Sequence, residues 1–92
     1  MKIKFLADPG HGWAKVKRSL LIELGIEKEI SAFSYQLGEW VYLEEDCDLS
    51  LFLKTINEKG VKVEFSDHFA KTQSKVRSYQ SFRSNTAQQV KP

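Results

Sequence analysis

The residue types best suited to chemistry lie together in the segment Asp8-Pro9-Gly10-His11-Gly12-Trp13. His11 is sterically open between two glycines, and Asp8 precedes it by three residues, so an Asp–His pair could orient the imidazole for general-base catalysis. Alternatively, Asp8 caps the turn through backbone groups and His11 faces solvent or packs on Trp13. The segment matches no catalytic signature, and we predict no catalytic residue.

Cys47 and the acidic residues around it suggest two further kinds of site. A cysteine at the start of a helix can be an activated nucleophile, but we favour the alternative that Cys47 is a small apolar residue that starts a buried helix face. The carboxylates in Glu44-Glu45-Asp46-Cys47-Asp48 are the ligands that hard cations prefer. However, the run lacks the glycine-hinged loop and trailing glutamate of a calcium hand, and adjacent acids point to different faces. We therefore predict no metal and no cofactor.

Composition predicts one small domain. The chain has 92 residues and a formal net charge of +2, and we expect a domain over residues 1–82 and a flexible polar tail over 83–92. The acidic centre, residues 39–48, and the basic end beyond Asp67 suit a charged partner or simply good solubility. No apolar run approaches the ~20 residues of a membrane span, and one cysteine favours a reducing, cytoplasmic location without membrane contact.

Alternation and turn chemistry predict a hairpin followed by a short helix. Residues 2–6 alternate polar and apolar side chains like a half-buried strand, the Asp8-Pro9-Gly10 segment is a strong turn signal, and residues 13–16 form a second strand. Residues 19–24 then predict a short helix that ends at Gly25.

The second half of the sequence predicts a hairpin and a helix, followed by a strand. Residues 30–35 and 39–43 are rich in aromatic and β-branched side chains, which favours a hairpin around Leu37-Gly38. Residues 48–59 predict a helix that Asp46 or Asp48 caps and Gly60 ends. Its apolar stripe has helical spacing and consists of Leu49, Phe52, Leu53 and Ile56.

Beyond this helix, Val61, Val63 and Phe65 alternate with polar residues and predict a strand with one buried face, opposite the helix. Residues 74–82 form an optional last strand. The predicted fold is α+β: a small, mostly antiparallel sheet in the order β-β-α-β-β-α-β, with two helices packed on one face.

Two sets of side chains are candidate contact residues. Aromatic side chains supply much of the energy of protein interfaces, so the candidates for protein binding are His11, Trp13, Tyr35, Trp40 and Tyr42. Basic side chains interleaved with aromatic ones can hold phosphates while bases stack, so the candidates for nucleic-acid binding are Lys15, Lys17, Arg18, Lys71, Lys75 and Arg77. The alternative for the second set is a solvated edge strand whose lysines prevent aggregation.

Residues 16–26, which end in Leu24-Gly25-Ile26, resemble the strand–helix segment of swapped-hairpin AbrB-type transcription factors. That resemblance implies DNA binding by an intertwined dimer through basic residues near this step. The segment departs from the family at Lys17, where proline is usual, and it lacks the Gly-Asp turn that follows in the family.

Residues 7–82 resemble a group of short proteins of bacterial phages and mobile elements. Four segments carry the resemblance: residues 8–13, 34–36, 42–48 and 74–79. It implies an accessory role in which a small protein binds a bacterial host protein or a nucleic acid, and it implies no catalytic residue. We therefore expect a non-enzymatic binding protein that engages a host protein, with nucleic-acid binding or a small enzyme centred on His11 as alternatives.

Overall fold

Six strands form one mixed sheet in the computed structural model, which describes residues 1–84. The strands are β1 (Lys2–Ala7), β2 (Gly12–Lys17), β3 (Tyr35–Leu37), β4 (Trp40–Glu44), β5 (Glu64–Phe69) and β6 (Gln80–Ser81). The helices are α1 (Arg18–Glu23) and α2 (Asp48–Glu58), with short 3-10 helices at Glu27–Glu29 and Lys75–Ser78. The sheet order is β5-β1-β2-β4-β3-β6; β1 and β5 pair parallel and the other neighbours antiparallel. The predicted α+β class is confirmed.

The hairpin of β1 and β2 forms where alternation and the Asp8-Pro9-Gly10 turn predict it. Ala7 pairs with Gly12, and the Asp8 N–H donates to the His11 carbonyl at 2.8 Å. The short helix α1 follows directly, and Gly25 behind it has a φ of 78°, a backbone conformation that favours glycine.

The second hairpin is shorter than predicted. β3 and β4 pair around Gly38 as expected, but residues 30–34 form a loop instead of a strand. Asp48 is the reason, because its carboxylate accepts hydrogen bonds from the Ser31 N–H and from the hydroxyls of Ser31 and Ser34. These polar groups therefore bond to the start of α2, and the Ser34 hydroxyl also accepts the N–H of Glu44, at the end of β4, at 3.0 Å.

The helix α2 forms as its periodicity predicts, and Phe52 is fully buried at its centre. The predicted cap is wrong. Neither Asp46 nor Asp48 caps the first turn; instead the Glu44 carboxylate, at the end of β4, accepts the backbone N–H groups of Asp46, Cys47 and Asp48 at 2.9, 2.5 and 3.0 Å. A carboxylate at this position also interacts favourably with the helix dipole.

The strand after α2 begins later than predicted. β5 covers Glu64–Phe69, and its pairing with β1 begins at Lys2 opposite Glu64. Val61 and Val63 lie in the connection that brings the chain from α2 to the far edge of the sheet, where they pack half-buried against the core. Most of β5 is exposed, so the predicted buried face of this strand is also wrong.

The two faces of the sheet are covered differently. On one face, alternate strand residues such as Ala14, Val16 and Val41 form one buried cluster with Leu21 of α1 and Phe52 of α2. On the other face, a smaller cluster consists of Trp13, Tyr42 and Val76, with Leu6, Tyr35 and Tyr79 packed against it. We call this second side the open face, because within residues 1–84 only the segment around the second 3-10 helix covers it.

The last described residues stay attached to the sheet. The optional strand over residues 74–82 is realised only as a 3-10 helix and the two-residue β6. Arg83 and Ser84, which the prediction assigns to the tail, still hydrogen bond to Gln36 and Glu27, and the remaining tail residues 85–92 lie outside the described part of the chain. Within residues 1–84, no helix has the length and apolar character needed to cross a membrane.

Candidate functional site: a pocket at the end of the sheet

A pocket of about 470 Å³ lies at the end of the sheet where β2 begins and β4 ends. We call it the end pocket. Its lining comes from four separate parts of the chain and consists of His11, Trp13, Ala32, Phe33, Tyr35, Glu44, Asp46, Cys47, Arg77 and Ser81.

The turn between β1 and β2 brings His11 and Trp13 to this pocket. Asp8 Oδ1 accepts the backbone N–H groups of Gly10 and His11 at 2.9 and 3.0 Å, so the alternative prediction of a backbone cap is confirmed. The Asp8–His11 catalytic pair, considered beside that cap, does not form, because Asp8 contacts the backbone of His11 and not its imidazole. The imidazole lies 3.7 Å from a Glu45 carboxylate oxygen and 6.0 Å from the Trp13 ring, measured between centroids.

Arg77 forms one wall through a bidentate ion pair with Asp8. Its Nε and Nη2 donate to the two Asp8 oxygens at 2.6 and 2.9 Å, and the Ser74 N–H donates to Asp8 at 2.9 Å. The Arg77 guanidinium, followed by the N–H groups of Ser74, Gly10 and His11, holds the pKa of Asp8 well below its usual range against the opposing effect of burial. Asp8 raises the pKa of Arg77 in turn. This pair attaches the second 3-10 helix to the β1–β2 turn.

Glu44 closes the pocket on the side of α2. Burial raises the pKa of this carboxyl, but the N–H groups of Cys47, Asp46 and Asp48, together with the nearby His11, outweigh it and hold the pKa below its usual value. Glu44 is therefore an anion at neutral pH, although only 8% of its surface is exposed. Its hydrogen bonds are used within the protein, so it fixes the geometry of the pocket and does not need a ligand.

The structure brings His11 and Cys47 into the same pocket, as the hypothesis of a small enzyme requires. Cys47 is exposed and does not lie on a buried helix face. Among residues 1–84, no hydrogen bond joins its thiol to His11, whereas an activated nucleophile needs its base within hydrogen-bond reach. The same part of the chain contains no group of three or more His, Cys, Asp or Glu side chains placed to hold a metal ion.

Aromatic rings and carboxylates make up much of the pocket lining. The rings of Trp13 and Tyr35 pack edge to face, with centroids 6.1 Å apart. Phe33 is 79% exposed in the loop beside them. The Arg77 charge is balanced by Asp8, so the carboxylates of Glu44 and Asp46 leave the end pocket negatively charged.

The five aromatic and histidine candidates separate into two groups. His11, Trp13 and Tyr35 line the end pocket, but Trp13 is 2% exposed and belongs to the smaller core cluster. Tyr42 is also buried, and burial together with the adjacent Tyr79 phenol raises its pKa. Trp40 lies near the other end of the open face, opposite Lys17, and 36% of it is exposed. Trp13 and Tyr42, both candidates for protein binding, therefore expose little surface to a partner.

The six basic candidates do not form one patch. Arg18 is buried: its guanidinium donates to Glu27 at 2.6 Å and lies 4.8 Å from the Phe82 ring centroid. Arg77 is paired with Asp8. Lys15 and Lys17 lie on the open face towards the end of β2, whereas Lys71 and Lys75 are exposed near the Asp8 turn, at the opposite end of the sheet.

Three features of the site are not predicted from the sequence: the exposed Phe33 beside the pocket, the cap that Glu44 forms on α2, and the ion pair between Arg77 and Asp8. The run of acids before the apolar stripe was a usable signal for the cap, but nothing local connects Asp8 to an arginine 69 residues away. Four segments singled out in the sequence, residues 8–13, 34–36, 42–48 and 74–79, each contribute to the end pocket, through Trp13, Tyr35, Glu44 and Arg77. No protein-family model, curated protein or solved structure matches the chain, so the function must be inferred from this geometry.

Proposed function

We propose that this chain is a small non-enzymatic binding protein whose end pocket receives a basic side chain, with apolar neighbours, from a segment of a partner protein. The observation that carries the proposal is that one preformed pocket combines aromatic walls with two carboxylates, those of Glu44 and Asp46, that form no ion pair within residues 1–84. Lysine and arginine side chains combine an apolar stem with a cationic head, so they suit both features of such a lining.

The exposed Phe33 supports a protein as the partner. A phenylalanine that is 79% exposed beside a pocket offers a large apolar contact area, and aromatic side chains are enriched among the residues that dominate interface energies. Asp46 is exposed on the other side of the same pocket and can pair with a cation at the rim. The resemblance to phage and mobile-element proteins would make the partner a bacterial host protein. We expect a cytoplasmic location, which suits the exposed Cys47 thiol.

Exposed residues are the right ones to change in a test, because Trp13→Ala would remove a buried ring and unfold the protein. The variants are Phe33→Ala and Asp46→Lys, and the matched controls are Phe69→Ala, a residue that is 68% exposed on β5, and Glu58→Lys at the exposed end of α2. Each immobilised protein is incubated with nuclease-treated bacterial lysate, and the retained proteins are identified by mass spectrometry.

We expect one protein that wild type and both controls retain and that both pocket variants lose. That protein, once purified, should shift the backbone amide resonances of residues 32–35 and 44–47 in an NMR titration. Equal retention by all five proteins, or resonance shifts confined to other parts of the chain, would contradict the proposal.

A further inference from the structure

Four lysines lie side by side on the open face, away from the end pocket. They occupy alternate positions of two adjacent strands: Lys2 and Lys4 on β1, and Lys15 and Lys17 on β2. Alternate residues of a strand point to the same face of the sheet. The register places Lys4 opposite Lys15 and Lys17 opposite Trp40. We call these four lysines together with Trp40 the lysine face.

The charge of the lysine face is not neutralised within the fold. Across residues 1–84, none of the four ammonium groups has a carboxylate within ion-pair distance, and even Glu64, opposite Lys2 on β5, forms no such pair. Like charges directly opposite each other on neighbouring strands are destabilising, so the Lys4–Lys15 pair disfavours the fold. An anionic ligand would remove this repulsion.

Trp40 organises the cationic groups and adds an aromatic surface. Lys15 Nζ lies 4.4 Å and Lys17 Nζ 5.6 Å from the centroid of its ring, both within the range of a cation–π contact. Leu37, opposite Trp40 on β3, is 51% exposed and extends the apolar surface. A shallow groove of about 250 Å³ runs beside these groups, and its lining includes Lys2, Lys15, Lys17 and Trp40.

We propose that the lysine face binds single-stranded nucleic acid, with phosphates held by the four lysines and a base stacked against Trp40. Sequence-tolerant binding of single strands uses this combination of a basic surface that follows the backbone and an aromatic ring that stacks a base. A duplex would leave the ring unused, because its bases are already stacked. This site differs from the basic set predicted from the sequence, because it keeps only Lys15 and Lys17 and adds Lys2 and Lys4. It excludes Arg18 and Arg77, which are paired internally, and Lys71 and Lys75, which lie at the opposite end of the sheet. It does not depend on the end pocket.

The test compares the affinities of variants that are matched in charge. Lys15→Ala/Lys17→Ala removes two ammonium groups from the lysine face, and Lys54→Ala/Lys59→Ala removes two exposed ones from α2 and its C-terminal end. Fluorescence anisotropy is recorded with labelled 12-nucleotide single-stranded DNA and RNA and with a DNA duplex at several salt concentrations. Circular dichroism verifies that each variant is folded.

We expect wild type and Lys54→Ala/Lys59→Ala to bind single strands similarly. Lys15→Ala/Lys17→Ala should bind roughly tenfold more weakly, and the slope of log K against log salt should fall by about 1.4, because each phosphate contact on a single strand contributes ~0.7. Trp40→Leu should weaken the binding of single strands and leave that slope unchanged, because it removes stacking and no charge.

Three results would overturn the proposal: no binding of any oligonucleotide at low salt, equal losses in the two double-lysine variants, or duplex binding as tight as single-strand binding. Poly-glutamate is added as a competitor of the bound oligonucleotide. If it displaces the oligonucleotide as effectively as unlabelled single strands do, the lysine face is assigned to an acidic protein instead.

Discussion

Phe52 is the residue whose truncation tests the packing of the core most directly. It lies at the centre of α2, has no exposed surface, and belongs to the cluster that joins the helices to the inner face of the sheet. Replacing a buried phenylalanine with alanine costs ~3–5 kcal/mol, since the transferred ring is lost and a cavity remains. A chain of 92 residues has a free energy of unfolding of only ~5–14 kcal/mol. Phe52→Ala should therefore lose a substantial fraction of the free energy of unfolding, and at the lower end of this range nearly all of it.

Thermal and urea unfolding, followed by circular dichroism, measure this effect. For a domain of this size, each kcal/mol corresponds to roughly 4–8 °C, so Phe52→Ala should melt about 12 °C or more below wild type. The control is Lys54→Ala, an exposed residue of the same helix, which should change stability by less than ~0.5 kcal/mol. Equal melting temperatures for the two variants would refute the assignment of the buried helix face.

Two further predictions concern internal ion pairs. Arg18→Met should destabilise the protein by ~3–5 kcal/mol, because it removes the arginine that is paired with the buried Glu27 carboxylate. In urea unfolding, the double variant Arg18→Met/Glu27→Met should recover part of this lost stability, because it removes the buried carboxylate as well. A double variant that is no more stable than Arg18→Met would contradict the ion-pair explanation. The pKa of Asp8 is lower in the folded than in the unfolded state, so its ionised form contributes stability above pH ~4 that is lost as the pH falls below that value. The urea concentration at the midpoint of unfolding should therefore fall less between pH 7 and pH 3 in Asp8→Asn than in wild type. An equal fall in the two proteins would show that other carboxylates cause the acid sensitivity.

Local patterns predict the elements whose stabilising contacts are local or repeat regularly. The helix α2 could be found because its apolar residues recur at helical spacing, and the first hairpin because Pro9 and Gly10 define its turn. The loop over residues 30–34 could not, since its side chains suit a strand, whereas its two serines bond to the carboxylate of Asp48, which is distant in the sequence. β5 was misplaced for a related reason: the parallel partner β1 decides where its pairing begins.

The candidate sites were harder to predict than the elements, because a side chain's role depends on its partner. Arg18 and Lys17 are adjacent in the sequence and carry the same charge. The Arg18 guanidinium is nevertheless buried against Glu27, whereas the Lys17 side chain is exposed on the open face. Trp13 and Trp40 likewise differ in exposure although both lie on the open face. The second 3-10 helix causes this difference, since it covers Trp13 and not Trp40.

That partial cover also separates the two proposed binding surfaces. Beside the 3-10 helix lies the end pocket, where Glu44 and Asp46 dominate the charge, and towards the other end of the same face lie Lys15, Lys17 and Trp40. The net charge of +2 therefore conceals an acidic and a basic region on one small molecule. Because the two regions share no lining residue, a basic protein segment and a nucleic acid can be tested for simultaneous binding, and a variant in one region should leave the other ligand's affinity unchanged.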